Sequence, residues 1–326
     1  MKFKLVSFLS LILIFIPVKS YVYRVDVFNA PEKNIYLISD FHKHTKNTKN
    51  QVSDTINLAK QLDSSVIVEN YDHNFIKSNN LDEKDIKSCY LGLLSYECKS
   101  QQISSFDVDF RGNLGPFLYY SNIKLGALLS DYRDALEDIL KYNDSSILNS
   151  FYKETYNIIK KNLDNLEKYK NLSYIECCRN KEFLQKAQKY SKALDNKQLV
   201  FNCILCMNWG LLEARILHEI YNCKNQNIFV CVGGCHNETL EQIFTEKLGY
   251  KKTYSYGSSH KDENPKSISF KNMIKKMQFN KLVTSEDVNI KSYILLMLLT
   301  YIIAILSKSN IPYRWNKKEY LKFFSK

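Results

Sequence analysis

Ile228-Phe229-Val230-Cys231-Val232-Gly233-Gly234-Cys235-His236 reads as an apolar strand that breaks on two glycines and ends on a histidine. A second segment, Ile35-Tyr36-Leu37-Ile38-Ser39-Asp40-Phe41-His42, repeats the pattern. The chain has only six histidines, so two of them stand where strands of an α/β protein stop and ligands collect. A histidine in that crevice titrates near neutrality or binds a metal. Gly233 and Gly234 permit positive φ and a close backbone approach to whatever His236 faces. A strand with a tight turn that happens to carry a histidine accounts for one such segment; the repetition points to a site.

A third strand follows the same plan. Ser65-Val66-Ile67-Val68-Glu69-Asn70 is a short β-branched run closing on a carboxylate. Before it, Gln51 to Leu62 has apolar residues at Val52, Ile56, Leu58, Ala59 and Leu62, which predicts a helix. Strand, helix, strand is a right-handed βαβ unit, so His42 and Glu69 are expected on neighbouring parallel strands, within reach of one substrate or metal. The plainer alternative for Glu69 is a solvated strand end.

These motifs resemble the Tiki/TraB superfamily, which includes ChaN-like haem-uptake proteins and is similar to the erythromycin esterases. The late motif, Gly233-Gly234-Cys235-His236, matches in full; the early one has Ser39 where the family has Gly. Leu211-Leu212-Glu213-Ala214-Arg215-Ile216-Leu217 is similar to the Arg-bearing helix before the late strand. The resemblance spans about residues 33 to 257. It implies an EreA/ChaN-like α/β fold with a mainly parallel sheet in two halves, and a metal-dependent peptidase-like site at His42, Glu69 and His236.

Composition narrows the classes. With 326 residues and 45% hydrophobic residues the chain can bury a substantial core. The formal charge of +12 is concentrated late, with thirteen Lys or Arg against five Asp or Glu from residue 258 onward. Such a tail suits an anionic membrane surface, and no nucleic acid is expected as partner. The abundance of Lys, Asn, Ile and Tyr reads as the coding bias of an AT-rich genome.

Met1 to Lys4 is a basic n-region, Leu5 to Pro17 an apolar h-region, and Val18-Lys19-Ser20 a cleavage site, so residues 1–20 are expected to be a signal peptide and the body exported. An uncleaved signal anchor is the alternative. Nine cysteines leave at least one unpaired. Cys203 and Cys206 have redox or metal spacing inside an apolar run and read as a buried pair, while in an oxidising compartment Cys89 with Cys98 is the expected local disulfide, on sequence separation alone.

The α/β domain is expected over 21–257. Asp107 to Asn113 alternates as a strand, carrying Arg111 toward the crevice as an oxyanion clamp or as an ion-pair partner of Asp107 or Asp109. Residues 119–196 read as a helical insertion, a cap on the crevice or a completion of the core. The second half is expected as a strand from Gln198, a helix over 211–221, the strand ending at His236, and a helix from Glu238 to Leu248. His236 would then sit ahead of a helix N-terminus, which disfavours imidazolium. His218 reads as a helix-face residue, and His44 and His73 as loop residues. Residues 258–290 form a basic connector. In 291–326, Tyr293 to Leu306 is apolar but shorter than the ~20 residues of a span, and a basic tail follows it, so membrane anchoring through 293–306 stays open.

Two chemistries follow. His42, Glu69 and His236, with Asp40 as a further ligand or orienting group, can form the first shell of a divalent metal that activates water on a peptide or small-molecule substrate. In an esterase-like variant, a histidine or Glu69 is the general base and Arg111 or Arg215 stabilises the oxyanion. The other readings are a ChaN-like binder of haem or another ligand and a catalytically degenerate interaction protein.

Overall fold

The computed structural model describes residues 21–41, 48–71, 90–189, 195–207, 210–259 and 266–276. The expected signal peptide, His42, His44, His73, Cys89 and the segment 293–306 lie outside the described residues. Contacts divide the chain into units 1–271 and 272–326. In the second unit only residues 272–276 are described, and they are helical. Among the described residues no helix is long and apolar enough to cross a membrane.

The first unit is α/β, with a mixed, mostly parallel sheet. Its strands are β1 (Tyr21–Ala30), β2 (Lys33–Phe41), β3 (Ser64–Tyr71), β4 (Ser105–Asp109), β5 (Asn227–Gly233) and β6 (Lys251–Gly257), in the order β4-β3-β5-β2-β1-β6. β4, β3, β5 and β2 run parallel, and β1 and β6 add antiparallel strands at one side. β2 and β3 are therefore not neighbours. β5 lies between them and takes the centre, because Ile228 to Val232 are buried with no polar side chain among them.

Helices cover both faces. On one face α1 (Thr48–Gln61) and α2 (Tyr90–Ser100) pack beside β3. Here Tyr36 of β2 packs against Phe229 of β5, with ring centroids 4.8 Å apart and the planes tilted by 53°. The predicted helix over 51–62 is α1. On the other face lie α3 (Leu114–Tyr119), α4 (Leu125–Lys141), α5 (Ser146–Leu166), the short α6 (Tyr174–Cys177) and α7 (Lys181–Ala187). Leu128, Tyr132, Ile159, Leu163 and Phe183 share one apolar cluster with Ile35, Leu37, Ile67 and Val230 of the sheet. The helical insertion thus completes the core.

Two expectations about the second half are corrected. The predicted strand from Gln198 is a helix, α8 (Asn196–Met207). Asp195 Oδ1 caps it by accepting the Gln198 N–H at 2.8 Å, and Leu199, Val200, Cys203 and Ile204 bury one helical stripe. The helix predicted from Glu238 starts earlier, as α10 (Gly234–Gln242), and continues into a π-helical turn over Ile243–Lys247. Between them α9 spans Leu211–Asn222. Cys98 is a free buried thiol, not half of a disulfide.

Candidate functional site

Strand ends bring the charged groups together. β4 stops at Asp109, and the chain turns so that the Arg111 N–H donates to Asp109 Oδ1 at 2.9 Å. The Arg111 guanidinium folds back on the same carboxylate, with Nε donating to Oδ1 and Nη2 to Oδ2, both at 2.8 Å. Nη2 also donates to Glu69 Oε1 at 2.7 Å. Glu69 follows Ile67 on the face of β3 that looks into the helical core, and its Oε2 accepts the Gly233 N–H of the neighbouring strand at 2.7 Å.

The β5 to α10 turn adds the imidazole. His236 stands in the first turn of α10, with Nε2 3.5 Å from Glu69 Oε1 and Nδ1 2.7 Å from Glu213 Oε1. Glu213 belongs to the first turn of α9, where its Oε2 accepts the Gly210 N–H at 3.0 Å. Gly210 has φ of 97°, a backbone state that suits glycine. The result is a buried chain of alternating charge: Asp109, Arg111, Glu69, His236, Glu213.

Electrostatics fixes the protonation of the ring. Burial alone would lower the His236 pKa, but the Glu69 and Glu213 carboxylates outweigh it and hold the imidazole up at about 9. His236 is therefore an imidazolium at neutral pH. The expectation that the helix N-terminus disfavours that form is corrected, because two carboxylates at contact distance exceed a helix dipole of about half a charge. Desolvation, with Glu69 and Glu213, pushes the Cys235 thiol up to about 11, so this cysteine is not a ready nucleophile at neutral pH.

Of the expected site residues, Glu69, Arg111 and His236 converge. Asp40 does not join them. On β2, Ile35 and Leu37 enter the large helical core, and strand alternation turns Asp40 to the opposite face, where its charge acts on Tyr90 and Cys231. Arg215 faces another way on α9, and its charge acts on the Tyr142 phenol. His218 is a helix-face residue, stacked on Tyr142 at 3.7 Å and hydrogen-bonded to Asp144 at 3.0 Å. Of the two alternatives for Arg111, the structure shows the ion pair, made to both Asp109 and Glu69.

The sequence reading gave Glu213 no role, and named Asp109 only as one of two alternative ion-pair partners of Arg111. Glu213 carried a signal, as the one charged residue in the apolar run Leu211 to Ala214, three residues after a glycine. A groove of about 240 Å³ opens beside Gly210 and Thr239, with Phe151, Ile158 and Ile243 on its walls. Thr239 lies one helical turn along α10 from His236, but the imidazole is not among the residues that line the groove.

The described donor set does not fit a divalent cation. No group of three or more His, Cys, Asp or Glu among the described residues is arranged to hold a metal ion. The Arg111 guanidinium already occupies Glu69 Oε1 and would repel a second cation there. The arrangement suits proton transfer between an imidazolium and a carboxylate. No protein-family model matches the chain, and no curated protein or solved structure is significantly similar to it.

Proposed function

We propose that the chain is a hydrolase of esters or amides, with His236 as proton donor and Glu69 as the carboxylate that orients the attacking water. One observation carries this reading: the His236 ring lies between two buried carboxylates supplied by separate elements, β3 and α9. A ring fixed at Nδ1 by Glu213 presents Nε2 in one direction, as acid catalysis requires. The motif resemblance to the Tiki/TraB superfamily supports the same class.

The proton cycle closes within the site. Water attacks the acyl carbon and its proton passes to Glu69. The tetrahedral intermediate collapses, and the leaving alkoxide or amine takes a proton from His236 Nε2. Glu69 then returns its proton to His236 across the 3.5 Å gap. Glu213 keeps the ring oriented, and Arg111 with the Gly233 N–H keeps Glu69 charged.

A second reading, a catalytically inert interaction protein, is favoured by the hydrogen bonds already accepted at both oxygens of Glu69 and both of Glu213. Assay of the full chain on p-nitrophenyl esters and fluorogenic peptides separates the two. Hydrolysis lost in His236→Gln with an unchanged circular dichroism spectrum supports the hydrolase. Equal turnover in that variant removes His236 from the mechanism, and no turnover in the parent supports the inert protein.

A further inference from the structure

One polar side chain near His236 has no use in the network described above. Asn237 is fully buried, and neither Oδ1 nor Nδ2 has a hydrogen-bond partner among the described residues. A buried amide left unmatched in this way is costly, and a group retained at such cost calls for a ligand. Its place shows where that ligand would sit. A helical side chain leans back over the turn that precedes its own Cα, so Asn237 inclines toward Gly233 and Gly234, the start of α10. No side chain caps that start at Gly233, and the first N–H groups of a helix have no partner within the helix itself.

A second group reaches the same turn from β1. The pairing of β1 with β2 shifts register between Val22 and Arg24, a bulge centred on Tyr23. Bulges re-aim side chains. The Tyr23 main chain is held from behind by the Ser258 N–H, which donates to its carbonyl at 3.1 Å. The phenol hydroxyl lies so close to Gly234 that a Cβ there would meet it at 2.6 Å. Gly234 and Asn237 are three residues apart on α10 and share a face. Tyr23 and Asn237 therefore flank this turn, one residue from His236.

We propose that this turn is the acyl-oxygen pocket of the site. The Gly234 and Cys235 N–H groups, with the Asn237 amide and the Tyr23 hydroxyl, would hold the carbonyl oxygen of the substrate and stabilise it as it becomes an oxyanion. This rests on the hydrolase reading and adds the group that such a reaction needs opposite its proton donor. It also assigns Gly234 a role: any side chain there would close the approach from Tyr23.

The test uses the full chain with acetate as probe, a carboxylate carrying the same oxygen chemistry. The Gly234 and Cys235 amide signals and the Asn237 side-chain NH2 signals should shift saturably on titration. Asn237→Leu, close in size and apolar, should weaken that binding at least about 10-fold and lower kcat on ester substrate by roughly 10²-fold, while the melting temperature stays level or rises. A lowered melting temperature with unchanged acetate binding would overturn the pocket and make Asn237 structural. Acetate binding without hydrolysis of any substrate would leave the pocket standing and remove the hydrolase reading. Hydrolysis unaffected by Asn237→Leu would do the reverse.

Discussion

His236 Nδ1 and Glu213 Oε1 are 2.7 Å apart, and this contact joins the first turns of two helices that leave the sheet separately. It decides the charge and direction of the ring. Glu213→Gln keeps the shape and an acceptor while removing the charge. The His236 pKa, followed by NMR of its ring protons, should fall from about 9 by at least about one unit. An unchanged titration would show that Glu213 does not set it.

Stability should depend on pH through the same group. The folded-state pKa of His236 is raised from the ordinary 6.5 to about 9. Its contribution is therefore full below pH 6.5 and is lost as pH rises through 9. Denaturant unfolding should show a loss on the order of 3 kcal/mol across that window, and His236→Gln should flatten it. A parent protein equally stable at both ends of the window would contradict the assignment.

Arg111 holds two buried carboxylates, Asp109 and Glu69. Replacing it with Met leaves both without their cation, at a cost on the order of 3 to 5 kcal/mol. Arg111→Lys should recover only part of this, since an ammonium cannot reproduce the paired Nε and Nη2 bonds to Asp109. Full stability in either variant, measured by urea unfolding, would refute the cost assigned to this ion pair.

Gly234 and Tyr23 should behave as a coupled pair. Gly234→Ala drives a methyl group against the phenol hydroxyl and should cost about 1–3 kcal/mol. In a Tyr23→Phe background the hydroxyl is gone and most of that cost should disappear. Additive effects of the two substitutions would show that the close approach carries no energy.

The legible parts of this molecule were those where one local pattern decides one element. The apolar run before Gly233 and the β-branched run before Glu69 gave two strands in which hydrophobic burial has no competitor, and both stand next to each other in the sheet. The α8 segment misled because Leu199 to Ile204 is apolar enough for either a strand or a helix, and the Asp195 cap decides it. Strand order was not legible: insertion of β5 between β2 and β3 is a matter of topology, and no local pattern encodes it. The same insertion makes His236, and not a neighbour on β2, the partner of Glu69. Asp40 illustrates the limit of counting along a strand, since one step of alternation puts a carboxylate on the wrong face.

The most direct test is the pH dependence of kcat/KM for ester hydrolysis by the full chain, corrected for spontaneous hydrolysis. A proton donor held up at about 9 predicts activity that is sustained at neutral pH, falls as pH rises through 9, and breaks at lower pH in Glu213→Gln. Activity that continues to rise above pH 9, or a profile that Glu213→Gln leaves in place, would contradict His236 as the acid.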